Sequence, residues 1–417
     1  MSSNSLRNVY MFFMQASYAY AKWDYEVSMS IIRDRKRLMW LLALLMPILA
    51  VSLLEASDFI GSKHAYGPAF YTTTIFMVSI AVGLAAGLIT GCIGAGGGFI
   101  ITPALMAAGV KGILAVGTDV FHIFAKAIMG TTVHKKLGNV SVKLAMAFMV
   151  GSGFGTVIGG SLNKFLYEKD PLLSDAFISA IYAVLLGFLG FYSMADFLRS
   201  RKGHEEGAGD AHGGRSGMTG LAVSVQGLKI PPMITFDEDF GGRQISGVIV
   251  AAGGVIVGIL AAIMGVGGGF VTFPMFVYIF GVSTATTVGT DILQIIFTAG
   301  VAAIGQYAIY GYVFYSLAMG MLIGSLLGIQ VGALTTKAVK GIHIRGFYAI
   351  SILAGFINRA STLPKKMVEM ELFDINKSLV NGIEFAGNVL FWVIIAFFGC
   401  WVIWKFLSNI NELKEGA

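Results

Sequence analysis

A chain of 417 residues that is 56% hydrophobic and only 12% charged, with a mean hydropathy of +0.77, does not have the composition of a soluble globular protein. The net charge of +6 does not indicate a nucleic-acid partner, because the basic residues lie in short segments between apolar runs, as in the cytoplasmic loops of membrane proteins. Apolar runs longer than about 18 residues predict transmembrane helices, so we expect a polytopic protein embedded in a lipid bilayer.

Residues 1–68 are predicted to form a cytoplasmic segment followed by an extra transmembrane helix. The apolar run at residues 38–54 follows a basic cluster at residues 33–37, which indicates a cytoplasmic N-terminus. This run starts too far from the N-terminus to resemble a signal peptide. The short C-terminal tail at residues 409–417 is also expected to be cytoplasmic.

Two transport repeats with a linker between them are predicted in the rest of the chain. The first repeat covers residues 69–198 and contains a glycine-rich break at Gly94–Gly98. Residues 199–245 are hydrophilic and contain charged, Gly and His residues, which is typical of a linker. The second repeat covers residues 246–408. All the predicted regular elements are helices.

The two repeats share a sequence pattern at a fixed period of about 170 residues, which indicates an internal duplication. The aligned positions are Gly94–Gly98 with Gly265–Gly269, Pro103 with Pro274, and Gly117-Thr118-Asp119 with Gly289-Thr290-Asp291. Each glycine-rich stretch stands where an unbroken membrane span is otherwise expected.

The charges of equivalent loops indicate that the repeats have opposite orientations. Residues 134–139 are basic and their counterpart, residues 306–312, has no charge; residues 167–175 lean acidic and their counterpart, residues 337–345, is basic. Basic loops lie on the cytoplasmic side, so the repeats are predicted to be inverted. An odd number of crossings per repeat requires each broken segment to be a re-entrant helical hairpin.

The glycine-broken stretches are the predicted functional site. Non-helical backbone at membrane depth must be buried in protein or line a water-filled cavity. Each glycine run leads into a half-helix whose N-terminal amides and positive dipole end face the break, and we expect Thr118-Asp119 and Thr290-Asp291 to cap second half-helices. Several positive helix ends around one cavity near the midplane would select an anion.

Ionisable side chains follow the first break on one helix face: Asp119, His122 and Lys126 are separated by three and four residues. At the matching places the second repeat offers Asp291 and Gln294, so an asymmetric site is expected. The predicted substrate-binding residues are Gly96, Gly97, Gly98, Thr118, His122, Lys126, Gly267, Gly268, Gly269, Thr290 and Gln294, with Asp119 and Asp291 as coupling or counter-charge residues.

Other interpretations of these residues remain open. The glycines could serve only close helix packing, Asp119 could cap a helix and balance Lys126, and Lys126 could extend to the interface. A cation transporter or channel would instead use Asp119 and Asp291 with backbone carbonyls. A membrane-embedded enzyme is disfavoured because the spans hold neither a nucleophile–base pair nor a His/Glu metal cluster. No cofactor or metal is expected.

The doubled motif Gly-x-Gly-Gly-Gly-x-(Ile/Val)-x-x-Pro, at Gly94–Pro103 and Gly265–Pro274, resembles the sulfite exporter TauE/SafE permease family, and the resemblance runs from about Phe76 to Trp404. It is supported by Gly117-Thr118-Asp119 with Lys126, by residues 134–138, and by Gly289-Thr290-Asp291. It implies transport of small anions, mainly sulfur oxyanions and organosulfonates such as sulfite or sulfoacetate.

We therefore expect an exporter of a small sulfur-containing anion that works by alternating access at a site between two inverted repeats. An oxyanion importer coupled to H⁺ or Na⁺ is an alternative, as is the cation transporter. The expected location is the cell inner (plasma) membrane. The expected partners are the anionic substrate and the bilayer, and the chain can form a homo-oligomer.

Overall fold

The structure is a computed structural model that describes residues 73–93, 97–136, 141–202, 220–236, 242–339 and 341–409. The predicted N-terminal helix at 38–54, the predicted tail and Gly96 lie outside these residues. The described part of the chain is mostly helical, and its N-terminal half contains α1 (Thr73–Ile93), α2 (Gly98–Ala107), α3 (Gly112–Lys136), α4 (Val142–Lys169) and α5 (Pro171–Lys202).

The C-terminal half repeats this order after a small linker structure. The linker contains α6 (Gly220–Gly227) and an antiparallel hairpin of β1 (Met233–Phe236) and β2 (Arg243–Ser246). The helices that follow are α7 (Gly247–Met264), α8 (Gly269–Pro274) with a π-helical extension Met275–Ile279, α9 (Thr284–Gly300) with a π-helical extension Val301–Ala308, α10 (Tyr315–Ala338), α11 (Gly341–Glu369) and α12 (Lys377–Ser408).

Four of the described helices are long and apolar enough to cross a membrane, namely α4, α7, α12 and residues 171–195 of α5. Large apolar side chains are exposed on the outside of the helix bundle, including Phe154, Phe188 and Phe385, which are 68%, 71% and 70% exposed. In water such a surface would be costly, whereas lipid tails accept it. The described chain is therefore a helical membrane protein.

The two halves pack crosswise, because the first helix of each half lies along the fourth helix of the other half. Helix α1 packs along α10, and α7, the counterpart of α1, packs along α4, the counterpart of α10. The close approach requires glycine in both pairs: a Cβ at Gly83 would lie 2.2 Å from the Met321 carbonyl oxygen, and one at Gly254 would lie 2.3 Å from that of Phe148. Equivalent helices also contact each other, α3 with α9 and α5 with α11.

The structure corrects three predictions of local structure. A β-hairpin lies in the predicted linker, so the described chain is not entirely helical. Thr118-Asp119 and Thr290-Asp291 are not helix caps, since they lie inside the continuous helices α3 and α9. The apolar run at residues 346–358 predicts a short helix, whereas helix α11 continues to Glu369, because its polar C-terminal half packs against α5 and α12.

Candidate functional site

The two glycine runs meet in the interior of the described bundle. A Cβ at Gly98 would lie 2.9 Å from the Cα of Val266, so the two backbones are almost in contact. The next residues, Phe99 and Phe270, stack with ring centroids 5.3 Å apart and an interplanar angle of 19°. Both rings are buried. The duplicated motifs therefore bring equivalent residues together.

Left-handed backbone explains why these turns are glycine. Gly97 has φ of 74°, and Gly267 and Gly268 have φ of 65° and 96°. Residues with a side chain rarely adopt this backbone conformation, whereas glycine does so at little cost. Gly97 and Gly268 directly precede α2 and α8, and Gly265, with φ of 79°, ends α7.

Backbone carbonyls and amides at this meeting point differ in their hydrogen bonding. The carbonyl of Gly97 accepts from the amides of Ile100 and Ile101, and that of Gly268 accepts from those of Val271 and Thr272. The first amides of α2 and α8, which are those of Gly98, Phe99, Gly269 and Phe270, have no acceptor within their own helices. These amides and the positive ends of two helix dipoles therefore lie at the meeting point.

Two buried tyrosines occupy further carbonyls at the end of α7. The Tyr182 hydroxyl donates to the carbonyl of Met264, and the Tyr307 hydroxyl donates to that of Ala262, each at 2.5 Å. These carbonyls precede the second glycine run and would otherwise lack partners, since the helix ends there. The tyrosines fix the end of α7 and leave its last carbonyls unavailable to a cation.

A buried polar cluster lies beside the glycine runs on α3. Thr102 of α2 donates to Oδ2 of Asp119 at 2.9 Å, and Nε2 of His122 bonds to the hydroxyl of Ser325 on α10 at 2.8 Å. The side chains of Asp119 and His122 are fully buried. Thr102 Oγ1 would lie 3.0 Å from a Cβ at Gly265, which places the cluster at the second glycine run.

Two atoms of this cluster lack hydrogen-bond partners among the described residues: Oδ1 of Asp119 and Nδ1 of His122. They face each other across 3.8 Å. The Ser325 hydroxyl donates to the Leu322 carbonyl, so it accepts from Nε2–H of His122, and Nδ1 then presents a lone pair towards Asp119. The pair is suited to take up a proton or a donor group.

Lys126 supplies the positive charge that the sequence predicted. It follows His122 by one helical turn and interacts electrostatically with Asp119. The roles of Lys126 in substrate binding and of Asp119 as a counter-charge stay predictions.

In the equivalent cluster of the second half, Asp291 is ionisable, whereas Gln294 and Thr298 are neutral and hydrogen-bonded. Gln294 donates to Oδ1 of Asp291 at 2.8 Å and accepts from Thr298 at 2.8 Å. Thr298, the counterpart of Lys126, forms a hydrogen bond with Ser152 of α4 at 2.7 Å. In the first cluster it is His122 that bonds to the equivalent serine, Ser325 of α10. The two clusters therefore share positions and differ in charge and in unused hydrogen-bonding capacity.

Thr118 and Thr290 have a structural contact that the sequence did not predict. The Thr118 hydroxyl accepts from the amide of Phe314 at the start of α10, at 2.9 Å. The Thr290 hydroxyl accepts from the amide of Ser141 at the start of α4, at 3.0 Å. Each threonine thus accepts from the residue that precedes a helix of the other half, so its hydroxyl has a structural contact.

Sequence reasoning missed several residues around the glycine runs, above all Tyr182, Ser325 and Arg359. Arg359 lies in α11 and is only 1% exposed. The signal was present as an interruption of an apolar helix by Asn358-Arg359-Ala360-Ser361-Thr362. Within the described residues, no group of His, Cys, Asp and Glu is arranged to hold a metal ion.

A family model for the sulfite exporter TauE/SafE matches residues 79–358, about two thirds of the chain. The chain belongs to this family. The TauE/SafE match begins in α1, ends in α11 and includes both glycine runs and both polar clusters. This confirms the resemblance inferred from the doubled motif.

Curated relatives of this TauE/SafE chain carry transporter names. A probable membrane transporter protein, YunE, of Bacillus subtilis is 25% identical over 280 residues, which are 64% of this chain and 90% of that protein. Two others share 23% identity: YjnA of Bacillus subtilis over 61% of this chain and 87% of its own length, and MJ0441 of Methanocaldococcus jannaschii over 64% and 88%. No solved structure matches the chain. The protein is thus a member of a membrane transporter family.

Proposed function

We propose that the protein exports a small sulfur-containing anion, such as sulfite or an organosulfonate like sulfoacetate, from a site where the two glycine runs meet. The observation that carries this proposal is the difference in hydrogen bonding between the backbone amides and the backbone carbonyls at that site. Amides of Gly98, Phe99, Gly269 and Phe270 have no acceptor within their own helices, while the carbonyls of Gly97 and Gly268 are occupied. Donor-rich, positively polarised backbone binds anions.

The charged side chains support the same ligand chemistry. Lys126 lies one turn beyond His122 on α3, and its ammonium can donate to an oxyanion. Oδ1 of Asp119 and Nδ1 of His122 are buried acceptors without partners among the described residues, so they can take up a proton or a donor group of the ligand. Two carbonyls that a cation could use, those of Ala262 and Met264, are already bonded to tyrosines.

An alternating-access mechanism is supported by the crosswise packing of the halves. Helices α1 and α10 form one tight pair and α4 and α7 form the equivalent pair. In our proposal the halves are inverted, the glycine runs are the tips of re-entrant hairpins, and the two pairs rock around the fixed site. The reciprocal threonine contacts link α3 to the start of α10 and α9 to the start of α4.

Export is the direction that the membrane potential favours for an anion. Moving one elementary charge through 100 mV is worth about 2.3 kcal/mol. A dianion leaving the cytoplasm therefore gains about 4.6 kcal/mol, which supports a gradient of roughly three decades without a coupled ion. A proton or Na⁺ would be required only for import.

A thermal-shift screen of the purified protein tests the ligand class. Sulfite, sulfoacetate, thiosulfate, acetate and the cations Na⁺ and Mg²⁺ are added in turn, and a specific ligand raises the melting temperature by mass action. We expect a gain from the sulfur anions and none from the cations. Lys126→Ala should abolish the gain, and Lys143→Ala, which changes an exposed lysine of α4, should retain it.

A different result would reject the anion site and favour a cation transporter: only a cation stabilises the protein, and this stabilisation is lost in Asp291→Asn but retained in Lys126→Ala. Equal stabilisation of the wild type and of Lys126→Ala by sulfite would reject the role of Lys126. The apparent affinity should fall as ionic strength rises, because the site binds its ligand largely by charge.

A further inference from the structure

Arg359 is a buried cation that lies apart from the cluster around Asp119. It has the largest side chain among those fully buried in the described residues, and it is 1% exposed. A buried guanidinium is costly unless a counter-charge neutralises it, and within membrane helices such a residue usually has a functional role. The role of Arg359 therefore depends on which neighbours supply that counter-charge.

The hydrogen bonds of Arg359 come from a neutral neighbour. Its Nε and Nη2 both donate to Oδ1 of Asn358, the first at 2.8 Å. Asn358 is held in turn by Asn388 of α12 at 2.6 Å. Among the described residues, nothing accepts from Nη1. The outer edge of the guanidinium, formed by Nη1 and the second Nη2 proton, therefore remains available, and it matches the two oxygens of an oxyanion.

The carboxylates nearest to Arg359 are paired with other cations. Asp175 on α5 forms an ion pair with Lys366 at 3.5 Å, and Glu384 on α12 forms one with Lys365 at 2.7 Å. Both carboxylates interact with Arg359 only at longer range. Asp175 also accepts from the amide of Gly112 at 2.7 Å. Glu369 also interacts electrostatically with Lys365 and Lys366, so the charges of this region balance overall, but no carboxylate forms an ion pair directly with Arg359 among the described residues.

Arg359 lies on the helix face that points to the glycine runs. Gly355, one turn earlier on α11, approaches the backbone of α2: a Cβ there would lie 3.6 Å from the Phe99 carbonyl oxygen. Residues four apart share a helix face. Lys366 continues this face and reaches Asp175. Arg359 is therefore between the central glycine turn and the ion pair of Asp175 and Lys366.

Tyr182 connects the two regions. Its hydroxyl donates to Met264 at the edge of the second glycine run, and it interacts electrostatically with both Asp119 and Arg359. It is fully buried. A ligand that moved from the central site towards Lys366 would pass this hydroxyl.

The geometry points to a second anion-binding site at Arg359, which takes a sulfonate-like or sulfite-like oxyanion in transit between the central site and the membrane surface at Asp175 and Lys366. This inference rests on the proposed function of the central site. The guanidinium edge binds two oxygens of the ligand, and the anion supplies the counter-charge that Asn358 cannot supply. Asp175 and Lys366 form the exit of the path.

Equilibrium binding of radiolabelled sulfite to the purified full chain tests the second site. We expect two sulfite ions per wild-type chain, and one per chain of Arg359→Gln, with at least a tenfold loss of affinity at the lost site. Lys126→Ala should lose the other ion. Lys377→Gln, which changes an exposed lysine at the start of α12, should bind as the wild type does.

Thermal stability without ligand provides a second readout that a merely structural arginine would not give. Removing an uncompensated buried charge relieves its desolvation cost, so Arg359→Gln should melt above the wild type in anion-free buffer and lose the rise that sulfite produces. A melting point below the wild type, together with two bound ions, would overturn the second site. Arg359→Lys keeps the charge without the planar edge and should bind at least tenfold more weakly at this site.

The two proposals fail differently. If wild type binds no sulfite, the central anion site is wrong and the second site falls with it. If wild type binds one ion that depends on Lys126, and Arg359→Gln binds that ion equally well, the central site stands and the second site is rejected.

Discussion

Phe99 and Phe270, which occupy equivalent positions in the two halves, stack on each other with ring centroids 5.3 Å apart. The contact follows directly after both glycine runs, beside the place where Gly98 approaches Val266. The duplicated sequence thus builds one shared centre.

The stacked pair should couple energetically. In a double-mutant cycle of Phe99→Leu, Phe270→Leu and the double variant, we expect a coupling of about 0.5–1.5 kcal/mol, because aromatic pairs contribute this much beyond area burial. Chemical unfolding in detergent measures it. Additive effects within about 0.3 kcal/mol would show that the rings do not stabilise each other.

Glycine-to-alanine substitutions should be equally damaging at equivalent positions of the crosswise helix pairs. In Gly83→Ala and Gly254→Ala the new methyl would lie 2.2 Å and 2.3 Å from backbone oxygens. We expect each to destabilise the protein by about 1–3 kcal/mol or more, since backbone must move. Thermal unfolding measures the loss.

Gly382→Ala is the matched control for these variants. It also lies inside a helix, α12, but a Cβ there meets nothing within 4 Å. Alanine should therefore be neutral or stabilising by up to about 1 kcal/mol. A strong loss in Gly382→Ala, or a strong loss at only one of Gly83 and Gly254, would contradict the crosswise packing.

Lys126 and its counterpart Thr298 should differ sharply in their effect on anion binding. Lys126→Ala removes the positive charge next to Asp119, and we expect at least a tenfold loss of sulfite affinity. Thr298→Ala removes hydrogen bonds to Gln294 and Ser152, which costs about 1 kcal/mol of stability each and leaves binding largely intact. Titration calorimetry separates the two. Equal losses of affinity would show that the halves contribute alike.

The linker should restrain the turn between α8 and α9. Gln226 donates to the Phe280 carbonyl at 2.7 Å, and Arg243 donates to the Gly281 carbonyl at 2.8 Å. In the double variant Gln226→Ala/Arg243→Ala we expect faster amide exchange at residues 275–283, measured by hydrogen–deuterium exchange, and unchanged exchange in α7. Lys229→Ala, at an exposed linker position, should exchange as the wild type does. Unchanged exchange at the turn would mean that these bonds do not hold it.

The meeting of the two glycine runs could be anticipated from the sequence because the repeated motif itself carries the geometric requirement. Three successive glycines in an apolar run have no role in an unbroken span, and a duplicated break indicates a shared site. The polar face of Asp119, His122 and Lys126 followed from helical spacing alone. Gly96 belongs to this prediction but lies outside the described residues.

Other features depended on tertiary contacts that no local pattern contains. Thr118-Asp119 and Thr290-Asp291 have the composition of helix caps, yet each threonine accepts from the residue before a helix of the other half, about 150 to 200 residues away. The burial of Arg359 was missed because hydropathy measures composition and not which face of a helix is buried. The linker hairpin was missed because its strands are only four residues long.

The central claim is that the two glycine runs form an anion site whose transport follows the membrane potential, and flux in proteoliposomes tests it most directly. Sulfite efflux from oriented vesicles is measured at imposed potentials from 0 to about 120 mV, inside negative, with Lys126→Ala as the inactive control. We predict efflux that rises several-fold with the inside-negative potential, since each charge gains about 2.3 kcal/mol per 100 mV. Efflux that is indifferent to potential, or that rises when the interior is positive, would contradict it.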